Sequence, residues 1–189
     1  MTNTYVILMR GINVGGRNSV PMARLRACLE DLGFANVMTY IASGNVILTS
    51  DRPPAEIGAQ IELALSATFT LHCDLIKVLV LNRRQFQAIV DDRPKGFGER
   101  PDRYHSDAIF LMGIDSTLAM SVFDPREGVD EVWPGDGVIY SQRLSAERTR
   151  SRLGKIIASP LYKSMTMRNW RTTTKLEGML KAIDAIERQ

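Results

Sequence analysis

Between residues 5 and 81 the spacing of apolar side chains changes in a fixed order, and that order restricts the fold more than any other feature. Residues 5–9 (Tyr-Val-Ile-Leu-Met) suggest a strand. Met22, Leu25, Ala27, Cys28, Leu29 and Leu32 then recur at helical spacing until Gly33 supplies a stop. Residues 37–41 and 46–49 read as two short strands joined through Ser43-Gly44-Asn45, where Gly and Asn provide the positive φ of a tight hairpin. Pro53 and Pro54 precede a second helix carrying Ile57, Ile61, Leu63, Ala64, Leu65 and Phe69, and residues 75–81 form a further strand. The order is β-α-β-β-α-β, the split βαβ arrangement of ferredoxin-like domains.

Beyond it, Asn82 is placed to cap a short helix through Val90. Residues 91–105 are rich in charge, Pro and Gly without a clean period, and read as a linker or long loop. The order then repeats in spacing, though not in residues: strand 107–112, helix near 117–123, strand 129–133, turn 134–137, strand 138–141, helix 146–158, strand about 165–168 and a closing helix from Thr172. The fold class expected is therefore α+β, two tandem ferredoxin-like halves with a C-terminal helix. Residues 1–82 form the first half, 83–106 a short helix and linker loop, and 107–189 the second half. The alternative is a single mixed sheet flanked by helices.

A chain of 189 residues, 44% hydrophobic and 24% charged, has enough apolar material for one ample core or two small ones. Its apolar stretches fall far short of the roughly 20 residues that cross a bilayer, and residues 1–9 lack the pattern of an export signal. A cytoplasmic location without membrane association is expected. Cys28 and Cys73 are too few for a disulfide framework and are expected to be buried thiols.

The first two strands of a split βαβ unit run parallel, because a right-handed crossover joins them, and so end at one edge of the sheet. That brings the turn Arg10-Gly11-Ile12-Asn13-Val14-Gly15-Gly16 beside the Ser43-Gly44-Asn45 hairpin, with His72 arriving nearby. Glycines there either let the chain turn or expose a nest of N–H groups that, with Arg10 and Arg17, holds an anion. Arg10, Asn13, Gly15, Gly16, Ser43 and Asn45 are the candidate binding residues at this edge. At the other end, Arg168-Asn169-Trp170 either clamps a ligand through a guanidinium, an amide and an aromatic face, or consists of a buried Trp behind a helix-capping Asn.

Several chemistries find little support. The glycines match neither the GxGxxG dinucleotide turn nor the phosphate loop ending in Gly-Lys-Ser/Thr, so no cofactor is expected. His72, Cys73 and Asp74 are adjacent on an expected strand and point to opposite faces, which disfavours a metal site, and His105 stands alone in its loop. No nucleophile elbow GxSxG occurs. Stacking on RNA bases is disfavoured because the strands that would carry aromatic residues are aliphatic apart from Tyr5.

Charge is unevenly spread. From Ser141 onward there are 11 Lys or Arg against 4 Asp or Glu, while the first 33 residues carry 4 Arg against 2 acids. Such asymmetry marks either an electropositive face for nucleic-acid phosphate or only the solvated face of a helix bearing Arg148, Arg152 and Lys155.

The RGINVGG turn, the following VPMARLRACLEDLGFANV, the segment 40–46, and residues 166–170 with 172–176 together give the chain a resemblance to the bacterial family known as domain of unknown function (DUF) 1697. The resemblance spans nearly the whole chain, with Ala42 standing where glutamine would be expected. It brings no activity with it. The functional expectation is a module that binds a small phosphorylated ligand or nucleic-acid phosphate. The alternatives are an enzyme acting on a phosphorylated or carboxylated metabolite at the Arg10/Ser43 edge, and a protein-interaction module.

Overall fold

In the computed structural model, which describes residues 2–71 and 76–187, the chain forms two four-stranded antiparallel sheets and a C-terminal helix. It divides into two compact units, Met1–Phe86 with Met179–Gln189, and Gln87–Gly178.

The first unit is built from β1 (Asn3–Arg10), α1 (Met22–Asp31), β2 (Ala35–Tyr40), β3 (Asn45–Ser50), α2 (Pro54–Thr68) and β4 (Lys77–Asn82). Its sheet order is β2-β3-β1-β4. Because β1 and β2 each pair antiparallel with β3, they run parallel to one another and end at the same edge. The helices start where proline stops an extended chain: Pro21 and Pro53 hold extended conformations at the two N-caps, and Pro54 opens α2. After α1 the chain reverses at Gly33, φ +84°, whose N–H donates to Glu30 O while that of Phe34 donates to Leu29 O. One face of the sheet, Tyr5, Ile7, Met9, Val46 and Leu48, packs on Leu25, Leu29, Ile57, Ile61 and Leu65 of the helices. Val6, Leu8 and Ile47 on the opposite face are buried too, which is why β1 reads as a continuous apolar run. Val78 is only half-buried, on edge strand β4, and Cys28 is half-buried rather than enclosed. His72, Cys73 and the expected strand start at Leu75 lie outside the described residues.

Helix α3 (Arg83–Asp91) leads into the second unit, which holds β5 (Tyr104–Leu111), α4 (Ser116–Met120), β6 (Asp130–Gly135), β7 (Val138–Leu144), β8 (Met165–Asn169) and the start of α5 (Trp170–Glu187). Its sheet order, β6-β7-β5-β8, repeats that of the first unit. The expected helix at 146–158 is instead a series of short 3-10 turns, Ser145–Glu147, Leu153–Ala158 and Pro160–Ser164. The residues explain the difference. Gly154 and the surrounding serines weaken an α-helix by up to about 1 kcal/mol each, and the Arg152 N–H donates to the Asp130 carboxylate rather than along a helix.

The segment expected as linker or long loop is packed within this unit. Phe97 is fully buried, edge-on to Tyr140 at 5.2 Å, Trp170 at 5.0 Å and Trp133 at 6.0 Å. His105 lies in β5, next to its first residue Tyr104, rather than in the loop.

Candidate functional site

The turn after β1 is a miniature hairpin. Arg17 N–H donates to Val14 O at 3.0 Å across Gly15 and Gly16, whose φ values of +58° and +74° give the turn the primed hand that suits a two-residue hairpin. Asn13 and Asn18 flank it, both at φ +52°, and their amides hold the loop in shape. Asn13 Nδ2 donates to Val20 O at 2.9 Å and to Ala42 O at 2.7 Å, its Oδ1 accepts from Val20 N–H at 2.8 Å, and Asn18 Nδ2 donates to Gly11 O at 2.7 Å.

The neighbouring hairpin is closed in the same manner. Asn45, fully buried, donates to Tyr40 O at 3.0 Å and Ser43 Oγ at 2.9 Å, and Gly44 O accepts from Met9 N–H at 2.8 Å. Gly44 is required there, since a Cβ would lie 2.8 Å from Met9 Cβ and 2.9 Å from Ile12 Cδ1, at φ +75°. The two turns therefore meet at one edge of the first sheet, bringing Asn13 to the Ser43–Asn45 hairpin, while Gly15 and Gly16 form the outward tip.

One feature of this edge was hidden from the sequence because it depends on strand register. Arg10, on β1, lies directly opposite Lys77, the first residue of β4. Both are half-buried and share the face that carries Leu8 and, opposite it, Asn45. Like charges in directly opposed positions repel, so such a pair is sensitive to any negative charge placed near it.

Arg168, Asn169 and Trp170 belong to the second unit. Arg168 is buried on β8, where Nη1 donates to Thr166 Oγ1 at 2.9 Å and Met167 O at 2.8 Å; burial pushes its pKa down to about 10, so it stays cationic at neutral pH. Asn169 Oδ1 accepts from Arg171 N–H at 2.9 Å at the start of α5, and Trp170 sits in the ring cluster around Phe97.

Part of the basic C-terminal stretch is paired with acids. Asp124 takes both a two-point contact from Arg152 Nη1, 3.1 Å to each oxygen, and Lys155 Nζ at 3.3 Å, while Arg150 meets Glu147 at 3.0 Å. The Lys155 contact, with the Arg152 charge, holds the Asp124 carboxyl below its ordinary range.

A second polar group went unnoticed in the sequence. His105 Nε2 lies 3.1 Å from Asp107 Oδ2 on β5; Arg143 is opposite His105 on β7, and Asp130 is opposite Arg143 on β6. Burial raises the Asp107 carboxyl against the opposing pull of His105 and Arg143. Asp130 Oδ2 accepts from Arg126 N–H at 3.0 Å and Arg152 N–H at 2.8 Å, tying down two loops. The two-residue spacing of His105 and Asp107 would have revealed their shared face had β5 been read as starting at Tyr104. Among the described residues no three His, Cys, Asp or Glu side chains converge as a metal site.

Residues 1–140 match the protein family of unknown function DUF1697. Among solved structures, the conserved bacterial protein SP0830 from Streptococcus pneumoniae is similar at 28% identity and a TM-score of 0.79, over 95% of this chain and 99% of that one. The likeness thus extends past residue 140 through the second sheet. No curated protein matches the chain.

Proposed function

We propose that this chain, which belongs to the DUF1697 family, binds a phosphate- or carboxylate-bearing anion at the edge of its first sheet. The observation that carries the reading is the register that sets Arg10 against Lys77 on adjacent strands, on one face and beside two glycine-bearing turns. Arg10 gives a planar fork of donors suited to a phosphate or carboxylate, and Lys77 a second charge on the same oxygens. Arg17, exposed on the turn, adds to the field. Asn13, Ser43 and Asn45 act as braces in this reading: their polar atoms hold the turns that flank the cations, and the glycines give those turns their shape.

The ligand class is a small phosphorylated molecule or the phosphate of a polymer, in a cytoplasmic protein. The repeated β-α-β-β-α-β order and antiparallel strand order of the first unit support its ferredoxin-like reading. The second unit has the same strand order with 3-10 turns in place of its second helix.

Calorimetric titration of wild type and Arg10→Ala with inorganic pyrophosphate tests the proposal. Loss of a charge-assisted contact worth roughly 1.5–3 kcal/mol should weaken binding about 10- to 100-fold, with little change in thermal unfolding. Equal binding by the two proteins would refute the site.

A further inference from the structure

The same edge presents two aliphatic side chains to water. Val14 is 64% exposed and Ile41 50%. Val14 follows Asn13 and Ile41 precedes Ala42, so the 2.7 Å bond from the Asn13 amide to Ala42 O ties the two turns next to these residues. Ile41 also holds a left-handed backbone, φ +48°, which is a steric outlier for a β-branched residue. Half exposure means that burying its own side chain does not offset the strain. Such strain persists where the surrounding structure imposes it, and it collects at binding sites.

Gly15 and Gly16 have open space where a Cβ would stand, so the turn between Val14 and Arg17 projects outward. Small-molecule sites are concave, and a projecting tip suits a broad surface instead. The chemistry of that surface follows from what the turns leave available. Arg17 is exposed on the turn itself, and Arg10 and Lys77 stand half-buried at the end of the strand pair that leads into it. The amides of Asn13, Asn18 and Asn45, which could read the edges of nucleic-acid bases, donate to backbone and side-chain acceptors of these two turns. What faces outward is aliphatic carbon beside positive charge, the complement of a phospholipid interface.

We propose that Val14 and Ile41 enter the interfacial layer of an anionic membrane while Arg10, Arg17 and Lys77 meet its phosphate headgroups. The inference rests on the anion reading above and identifies the anion's source as lipid. It requires no membrane-spanning element, and no described helix is long and apolar enough to be one.

The test is sedimentation of the full chain with vesicles of phosphatidylcholine alone or mixed with phosphatidylglycerol, alongside titrations with inorganic pyrophosphate and a duplex oligonucleotide. The expected result is binding to the mixed vesicles but not to phosphatidylcholine alone, weakened by salt, with binding of pyrophosphate and none of the oligonucleotide. Val14→Ser with Ile41→Asn should lower vesicle partitioning by more than about tenfold, since the aliphatic contribution is lost. Pyrophosphate binding should stay as in wild type, and the variant should melt no lower, because Asn accepts the left-handed conformation more readily than Ile. Undiminished partitioning of the variant, or equal binding to both vesicle types, overturns the proposal. Pyrophosphate binding without vesicle binding sinks the lipid inference and leaves the anion reading standing, and oligonucleotide binding in place of vesicles gives the edge to nucleic acid. Binding to none of the probes ends both readings.

Discussion

The turns at the edge of the first sheet and the Arg168–Trp170 segment have much the same ingredients, an arginine, an asparagine amide and glycine or aromatic neighbours, yet they are put to different uses. At 168–170 every one of those groups is turned inward: the guanidinium bonds to its own strand, the amide caps a helix, and the indole joins a ring cluster. In the first-sheet turns the amides are likewise consumed, but the register sets Arg10 opposite Lys77 and the turns leave two aliphatic side chains in water. Residue type alone does not say what a side chain holds; the contacts set by strand and turn geometry do.

The sharpest way to break that contrast is to remove the indole. Trp170→Ala should destabilise the protein by about 3–5 kcal/mol in urea unfolding, because the ring is enclosed by Phe97 and Tyr140; a loss below about 1 kcal/mol would mean that the ring is not part of the core.

Asn13→Ala should cost roughly 1–3 kcal/mol, since it forfeits three side-chain hydrogen bonds and places alanine at a positive φ. If the variant kept full stability, the amide would have to be assigned to a ligand rather than to the loop. Asn169→Ala should lose about 1 kcal/mol, the value of an N-cap, without altering anion binding.

The smallest effect concerns Asp107. Its folded pKa is raised by burial, so the protonated form is the one the fold favours: the associated stability is present below the ordinary carboxylate pKa and is lost as pH rises through the elevated folded value. Relative to Asp107→Asn, wild type should therefore lose stability as pH is raised from about 4, in denaturant titrations at stepped pH. Parallel curves would show that the carboxyl is not shifted.

The order of elements in the first unit was readable because each strand and helix there has its own apolar period and its own Pro or Gly punctuation. The meeting of the two turns followed from the handedness of the crossover. In the second unit the signals conflict: Leu153 and Ile156 recur at a spacing that suits an α-helix, but Gly154, the serines and the Asp130 carboxylate divert the backbone into 3-10 turns. Phe97 could not be recognised as core, because a single aromatic among charges and prolines has no period. Which hydrogen bonds an Asn makes, and which residue stands opposite Arg10, are set by contacts across 29 and 67 positions of the chain, and no local pattern encodes them.

If Arg10 and Lys77 together seat an anion, thermal unfolding in rising pyrophosphate at constant ionic strength reports it. As pyrophosphate is added, the wild-type midpoint should climb while that of Lys77→Gln stays nearly level, the signature of a ligand that binds the native state through that charge. Midpoints that rise equally in both proteins, or in neither, would mean that Lys77 takes no part in seating an anion.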